Sequence, residues 1–239
     1  GDRVIIAGQN NDGTGSNAGH VRAYDWNGSS WIQAGSDIDA EAANDRSGIA
    51  TALNRSGNRL AIGASRNDGT GSNAGHVRIF DWNGSDWKQL GDDIDGEATG
   101  DNSGTAVSMN YAGTRVAIGA QNNDGTASNA GHVRIYDWNG ISWVQVGSDI
   151  DGEAEGDQSG SHNSVSLNAF GDKLAIGAFR NDGNGSNSGH VRIFSLPNPT
   201  ITSDSRPMIS SVNVSDDNSS VTVIFNEEVY STKNGEGLL

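Results

Sequence analysis

The sequence Asn-Asp-Gly-Thr-Gly-Ser-Asn-Ala-Gly-His-Val-Arg occupies residues 11–22 and occurs again, unchanged, at residues 67–78. Near copies lie at 123–134 and 181–192, and the first three copies follow one another at intervals of 56 residues. A fixed period of this length is typical of folds in which one supersecondary unit is stacked or arranged around an axis. A residue that recurs in every copy is therefore expected to stabilise the fold, and a role in a functional site is the second possibility to consider.

The third copy gives the clearest prediction of strands within one repeat. Strands are expected at 105–110, 115–120, 132–138 and 142–146, where β-branched and other apolar residues alternate with polar ones. Asn139-Gly140 supplies the turn between the last two strands, because both central positions of a tight hairpin turn require a positive φ. Each repeat therefore reads as four short antiparallel strands.

Four antiparallel strands in each unit predict the blade of a β-propeller and an all-β fold. The expected boundaries are a partial repeat at 1–46, complete repeats at 47–102 and 103–158, and a partial repeat at 159–195. The first repeat lacks its first strand and the fourth lacks its last, so sharing of strands between copies could close a ring.

Composition limits the classes of partner. The 239 residues carry a net charge of −15 and include no cysteine, which argues against nucleic acid, an anionic membrane surface and disulfides. No stretch has the roughly 18–20 consecutive apolar residues of a membrane helix, so no insertion into a membrane is expected. An acidic chain without cysteine suits an extracellular or cell-surface location.

Two residue types recur in the third and fourth strands. All six tryptophans lie in this hairpin, and they either pack between neighbouring blades or form a platform for stacking sugar rings. His and Arg recur at the start of the third strand, where they either hydrogen-bond a neighbouring loop or form a ring that binds an anion. His162 lies outside the pattern and is assigned no role.

Three elements of the fourth copy carry a resemblance to a known family. Ser164–Asn168, Leu174–Ala178 and Gly189–Phe194 resemble, in this order, the FG-GAP repeat, which is the blade unit of the integrin α-subunit propeller and of many bacterial surface proteins. The resemblance covers about residues 1–195 and implies a propeller used for adhesion or ligand binding. The integrin-type calcium loop would lie at 110–114, but this segment has no carboxylate, so those ligands are not carried over.

The acids lie instead in the segment that links one repeat to the next. Each linker places carboxylates at positions 1, 3, 5 and 9, and alternating acids in a loop can converge on one calcium ion. The alternative is a solvated linker whose Asp side chains cap turns. The candidate calcium ligands are Asp37, Asp39, Glu41 and Asp45 in the first repeat, Asp93, Asp95, Glu97 and Asp101 in the second, and Asp149, Asp151, Glu153 and Asp157 in the third.

The repeat pattern stops near residue 195. Residues 196–207 read as a proline-containing linker, and 208–239 as a second, truncated segment with strands at 208–214 and 220–225. The motifs of this segment resemble the start of a bacterial Ig-like domain, which implies the first strands of a β-sandwich.

The sequence thus predicts a non-catalytic extracellular or cell-surface module for adhesion or for surface or filament assembly, stabilised by calcium. The acids recur in equivalent linkers rather than forming one unique pair, so the chain is not expected to be an enzyme. The expected partners are a protein or glycan ligand on a surface, or copies of the chain itself. The alternative function is a carbohydrate-binding propeller module of a larger secreted protein or enzyme.

Overall fold

A computed structural model describes residues 1–199, 209–214 and 221–225. These residues form an all-β structure in which no helix occurs, and the chain divides into two compact units, Gly1–Thr202 and Ser203–Leu239. The first unit contains four antiparallel sheets, one for each repeat. The all-β fold of repeated propeller-type blades expected from the sequence is therefore confirmed.

Each repeat forms its own sheet. The first contains β1 (Arg3–Gly8), β2 (His20–Trp26), β3 (Trp31–Gln33) and β4 (Ile38–Asp39). The second contains β5 (Ser47–Leu53), β6 (Arg59–Ala64), β7 (His76–Trp82), β8 (Trp87–Gln89) and β9 (Ile94–Asp95). The third contains β10 (Ser103–Met109), β11 (Arg115–Ala120), β12 (His132–Trp138), β13 (Trp143–Gln145) and β14 (Ile150–Asp151), and the fourth contains β15 (Val165–Leu167), β16 (Lys173–Ala178) and β17 (His190–Ser195).

The two complete sheets differ from the predicted blade in one respect. Strands β5 to β8 follow one another as a meander, as expected, but the acidic linker also contributes the two-residue strand β9, which pairs with the start of β7. Its register places Asp95 opposite His76 and Ile94 opposite Val77. The apolar Ile94 is buried, and this burial holds the beginning of the linker against the sheet.

Apolar side chains on facing sheets form the core between successive repeats. Leu60, Ile62 and Phe80 of the second repeat pack against Val21 and Ala23 of the first. The same arrangement recurs between the second and third repeats and between the third and fourth. Both faces of an interior sheet are covered, so every residue of β6 and of β11 is buried.

The predicted packing of tryptophans between blades is confirmed where a repeat has a predecessor. Trp82 and Trp87 belong to the core between the first and second repeats, and Trp143 packs into the core between the second and third. In the first repeat, Trp26 and Trp31 are exposed. The two rings of each hairpin contact each other in a tilted arrangement, with centroids 5.4–5.5 Å apart.

Glycine in the recurrent Ile-Gly-Ala sequence allows the sheets to approach closely. A Cβ atom on Gly63 would collide with the carbonyl oxygen of Gly104 in the next repeat, and one on Gly119 would collide with that of Gly160. These positions therefore require glycine because the backbone of the following repeat occupies the space of a side chain.

Two strands of the second unit are described. β18 (Ile209–Val214) and β19 (Val221–Phe225) pair in antiparallel fashion, which confirms the two strands expected there. The turn between them and the residues after β19 lie outside the described residues. The Ig-like assignment therefore stays a prediction.

Candidate metal-binding clusters between repeats

The recurrent histidine lies at the meeting point of three strands. His76 is the first residue of β7, opposite Ala64 of β6 and Asp95 of β9, and only 1% of its surface is exposed. Its Nδ1 atom lies 3.4 Å from Oδ2 of Asp93 and 3.9 Å from Oε2 of Glu41. We call the group of Glu41, His76 and Asp93 the second cluster, after the repeat that supplies its histidine. Glu41 belongs to the linker of the preceding repeat, so the second cluster spans a boundary between repeats.

A third cluster (Glu97, His132, Asp149) repeats the arrangement at the next boundary. Nδ1 of His132 lies 3.6 Å from Oδ2 of Asp149 and 3.8 Å from Oε2 of Glu97. This nitrogen is buried and has no hydrogen-bond partner among the described residues. This Nδ1 atom, whether it carries a proton or a lone pair, therefore faces two carboxylates without a hydrogen bond to either.

The first and fourth repeats hold incomplete versions of this cluster of one histidine and two acids. The first cluster (His20, Asp37, Asp39) lies within the first repeat, and His20 Nδ1 is 3.5 Å from Asp37 Oδ2. In the fourth repeat, His190 Nδ1 lies 3.4 Å from Glu153 Oε2. The second and third clusters are thus the ones that combine a buried imidazole with acids from two repeats.

Burial sets the protonation state of the two interior histidines. Burial lowers the pKa of His76 and of His132 because it disfavours the charged imidazolium, and the nearby carboxylates only partly oppose this effect. Both imidazoles are therefore neutral at neutral pH, which is the form that binds metal ions. Burial also raises the pKa of Glu97.

An arginine flanks each interior cluster. Nη1 of Arg78 lies 3.7 Å from Oε1 of Glu41, and Nη1 of Arg134 lies 3.6 Å from Oε1 of Glu97. The other carboxylate oxygen, Oε2, faces the imidazole. The same arginines donate a hydrogen bond to the carbonyl of Asp39 (2.7 Å) and of Asp95 (2.6 Å), which confirms the predicted hydrogen bond to a neighbouring loop.

The structure separates the four acids that the sequence grouped within each linker. The first acid of a linker, such as Asp93, joins the histidine of its own repeat, whereas the third, such as Glu97, joins the histidine of the next. The acid at position 9 is buried and caps its own turn: Oδ2 of Asp101 accepts hydrogen bonds from the Ala98 amide (3.1 Å) and the Asn123 side chain (3.0 Å). Asp45 and Asp157 make the corresponding contacts.

Sequence reasoning placed the acids and the histidines in separate groups. The signal that could have joined them is the shared period, because an imidazole and two carboxylates recur together in each complete repeat. Their proximity depends on β9 and β14, which bring the start of each linker back onto the third strand of its sheet.

A cleft of about 310 Å³ opens beside the second cluster. Its lining includes Asp93 of that cluster, Asp92 and the aromatic rings of Tyr136 and Trp143. Flat aromatic faces beside carboxylates would suit the sugar ring of the carbohydrate-binding alternative. The cleft also gives solvent and small ligands access to Asp93.

One residue of the cleft lining differs from its counterpart in the preceding repeat. At the preceding boundary, Asp86 reaches across and accepts a hydrogen bond from the Ser36 amide at 3.1 Å. The residue that corresponds to Asp86 in the third repeat is Ser142, whose shorter side chain lines the cleft.

Two solved structures illustrate what this chain is similar to. The structure is similar to that of the tricorn protease, with 11% identity, a TM-score of 0.40 and coverage of 75% of this chain and 14% of that one. It is also similar to a periplasmic gluconolactonase from Pseudomonas aeruginosa, with 11% identity, a TM-score of 0.46 and coverage of 99% of this chain and 67% of that one. The chain spans only 14% of the length of the tricorn protease. At this identity and with TM-scores below 0.5, neither likeness shows what this chain does.

No protein-family model and no curated protein matches the sequence. The described residues include no helix long and apolar enough to cross a membrane.

The comparisons correct the expected function. The sequence predicted a non-catalytic module for adhesion or assembly and predicted that the chain is not an enzyme. Both similar structures are enzymes, which contradicts these two expectations, and neither is retained. At this level of similarity, neither enzyme's activity is transferred to this chain.

Proposed function

We propose that this chain is a β-propeller that binds divalent metal ions at the boundaries between repeats, through the second and third clusters. The observation that carries the proposal is the buried Nδ1 of His132, which has no hydrogen-bond partner among the described residues and faces Asp149 and Glu97. A buried polar atom without a partner costs about 1–3 kcal/mol. A metal ion bonded to this nitrogen and to both carboxylates would remove that cost.

The distances within the clusters support this proposal. Ligand atoms about 2.0–2.2 Å from a tetrahedral ion lie about 3.3–3.6 Å from one another. The separations from the imidazole nitrogen to the carboxylate oxygens are 3.4 and 3.9 Å in the second cluster and 3.6 and 3.8 Å in the third. The two imidazole-to-glutamate separations exceed this range by a few tenths of an ångström, and all the ligand atoms of one cluster lie within 4.8 Å of one another.

The donor set favours a transition metal over calcium. Calcium takes six to eight oxygen ligands, whereas each cluster offers one imidazole nitrogen and two carboxylates. Imidazole together with carboxylate suits zinc and similar ions. We therefore infer a metal ion of the zinc type in place of the calcium ion that the acidic spacing suggested.

Three protein ligands leave at least one position of a tetrahedral ion free. Glu97 and Asp149 are partly exposed, so this position would face solvent. Catalytic metal centres share this arrangement, whereas structural ones are closed by four protein ligands. When bound, such an ion would polarise a ligand or lower the pKa of a bound water molecule. Arg134 would hold the second oxygen of Glu97 and so orient this carboxylate.

We propose further that the repeats are related to the FG-GAP type and that the protein works outside the cytoplasm. The order of the Ser-Val, Ile-Gly-Ala and Gly-His-Val-Arg elements supports the first point. The net charge of −15 and the lack of cysteine support the second.

Isothermal titration of the full, EDTA-treated chain with Zn²⁺, Mn²⁺ and Ca²⁺ tests the metal proposal. We expect Zn²⁺ to bind and to raise the free energy of unfolding by about 2.7 kcal/mol for each occupied site at a free concentration one hundred times the Kd. His132→Gln is expected to remove one binding site. His162→Gln is the matched control because His162 is exposed and lies outside every cluster.

Two results would overturn metal binding at these clusters, and a third would contradict the choice of ligands. One is the lack of binding heat and of thermal stabilisation with all three ions. The other is an equal loss of binding in His132→Gln and His162→Gln. Binding of Ca²⁺ alone, unchanged in His132→Gln, would contradict the assignment of the clusters.

A further inference from the structure

A fully buried serine recurs where each of the last three repeats packs on the repeat before it. Ser47, Ser103 and Ser159 are each 0% exposed, and their hydroxyl Oγ atoms have no hydrogen-bond partner among the described residues. Buried polar groups in proteins are as a rule hydrogen-bonded to protein or to ordered water. Three equivalent hydroxyls in this state indicate that one kind of group satisfies them at the boundaries between repeats.

Each of these serines shares a row of its sheet with the recurrent histidine. In the second repeat, Ser47 pairs with Ala64, and Ala64 pairs with His76. Residues directly opposite each other in an antiparallel sheet project their side chains to the same face. The hydroxyl of Ser47 and the imidazole of His76 therefore lie on one face, on either side of the small side chain of Ala64. The same row is formed by Ser103, Ala120 and His132, and by Ser159, Ala178 and His190.

The imidazole turns its Nε2 atom towards the serine. In the first repeat, Gly8 takes the place of Ala64, and a Cβ atom on Gly8 would lie 3.5 Å from Nε2 of His20. Nε2 therefore lies over the neighbouring strand. His76 has the same orientation, because in both repeats Nδ1 lies 3.4–3.5 Å from the first acid of the linker. Nε2 of His76 is buried and has no hydrogen-bond partner among the described residues, and the same holds for Nε2 of His190.

A glutamine of the preceding repeat adds a third polar atom. A Cβ atom on Gly19 would lie 2.7 Å from the amide nitrogen of Ser47 and 3.0 Å from the carbonyl oxygen of Gln9, so these two residues are neighbours across the boundary. The side-chain Oε1 atom of Gln9 is also buried without a partner in the described part of the chain. The equivalent Gln121 lies beside Ser159 in the same way, and its Oε1 atom is unpartnered as well.

We propose that a water molecule is bound at each of these two boundaries by the serine hydroxyl, the histidine Nε2 and the glutamine Oε1. Paired residues on adjacent strands are about 4.5–5.5 Å apart. One water molecule spans such a distance with two hydrogen bonds of about 2.7–3.2 Å. Buried water molecules typically make about three hydrogen bonds, which matches the three atoms available. At the remaining boundary Ser65 stands where the others have glutamine, so the inference is confined to these two.

The water molecule makes Ser47 a positioning residue for the second cluster, and this part of the inference rests on the proposed function. A neutral imidazole carries one N–H group and one lone pair. When Nε2 donates its proton to the water, the lone pair lies on Nδ1, which faces Asp93 and Glu41 and is the atom that would bind the metal ion. The water in turn donates its two hydrogen atoms to Ser47 and Gln9.

A high-resolution crystal structure of the full chain in EDTA tests the water site without any metal ion. We expect an ordered water molecule within about 2.7–3.2 Å of Ser47 Oγ and His76 Nε2, and an equivalent one beside Ser159 and His190. Ser47→Ala should lose the first and keep the second. A wild-type structure without these waters, or one with a direct hydrogen bond between Ser47 and His76, would overturn the proposal.

Calorimetric titration with Zn²⁺ tests the positioning role. In a His132→Gln background the second cluster is the remaining complete site, so the titration measures its Kd. Ser47→Ala is expected to raise this Kd about tenfold, because partners of a metal-binding histidine orient it. Ser159→Ala is the matched control, since it makes the same change at an equivalent buried position and should leave the Kd unchanged. An unchanged Kd in Ser47→Ala would overturn the positioning role.

Nuclear magnetic resonance of the ¹⁵N-labelled imidazoles separates positioning from a general loss of packing. In the Zn²⁺-loaded chain, Nε2 of His76 should carry a proton that exchanges slowly with solvent, and Ser47→Ala should speed this exchange at least tenfold. Unchanged exchange would count against the role of Ser47. If Zn²⁺ does not bind but the water is present in EDTA, the proposed function and the positioning role are wrong and the water site stands. If Zn²⁺ binds but the water is lacking, the inference is wrong and metal binding stands.

Discussion

The guanidinium of Arg115 donates two hydrogen bonds, of 2.6 and 2.7 Å, to the carboxylate of Asp137. The arginine side chain is fully buried, and it also donates to the carbonyl of Gly171 in the next repeat. One side chain therefore fixes the third strand of its own sheet and the position of the following sheet.

Replacing Arg115 with Leu is expected to lower the free energy of unfolding by about 3–5 kcal/mol, because it removes the bidentate guanidinium that contacts the buried Asp137 carboxylate. Urea unfolding followed by circular dichroism measures this loss. Arg3→Leu is the matched control, since its partner Asp25 is 44% exposed and water can replace the arginine. Equal losses in the two variants would contradict the role given to burial.

The glycine of the Ile-Gly-Ala sequence provides a second test. Gly119→Ala should lower the free energy of unfolding by about 1–3 kcal/mol or more, because its Cβ would meet the backbone of Gly160. At Gly177, the same position of the fourth repeat, the nearest atom to a Cβ is the Ser164 side chain at 3.1 Å. Gly177→Ala should therefore cost less, and thermal unfolding compares the two. A larger loss at Gly177 would contradict this packing.

Buried histidines should make stability depend on pH. The pKa values of His76 and His132 are lowered in the folded chain by burial, so between those values and about 6.5 the unfolded chain binds more protons. The free energy of unfolding should therefore reach its full value above about pH 6.5 and decrease as the pH is lowered below it. The slope cannot exceed about 1.4 kcal/mol per pH unit for each histidine.

Unfolding in EDTA between pH 5.5 and 8 measures this slope in the wild type and in the double variant His76→Gln with His132→Gln. We expect a flatter profile in the variant. Identical profiles would show that other groups cause the dependence.

Asp101 and Asp149, to which the structure gives different roles, should respond differently to metal. Asp101→Ala removes the cap of its turn and should destabilise the chain by about 1–3 kcal/mol both in EDTA and in Zn²⁺. Asp149→Ala removes a member of the third cluster, so it should reduce the stabilisation by Zn²⁺ and have a smaller effect in EDTA. Thermal unfolding of both variants in both buffers measures the difference. A metal response lost equally in both variants would contradict the different roles given to these two acids.

Much of the fold could be predicted from the period and the alternation of apolar residues. The strands 115–120 and 132–138 agree with β11 and β12 at both ends, because turn signals bound them on either side. The strand β14 was missed because two residues flanked by acids carry no alternation that can be counted. That short strand is nevertheless what holds Asp149 close to His132.

The sequence by itself determined that this protein is an all-β array of repeated antiparallel sheets, because a 56-residue period and the two-residue alternation of strands are local properties of the chain. Only the tertiary structure decided which acids meet which histidine. Glu97 and His132 are 35 positions apart and belong to different repeats, and they come together because sheet packing places the linker of one repeat against the third strand of the next. The packing of one sheet against another is also what leaves Val191 and Ile193 exposed, although their sequence matches that of the buried residues in the preceding repeats.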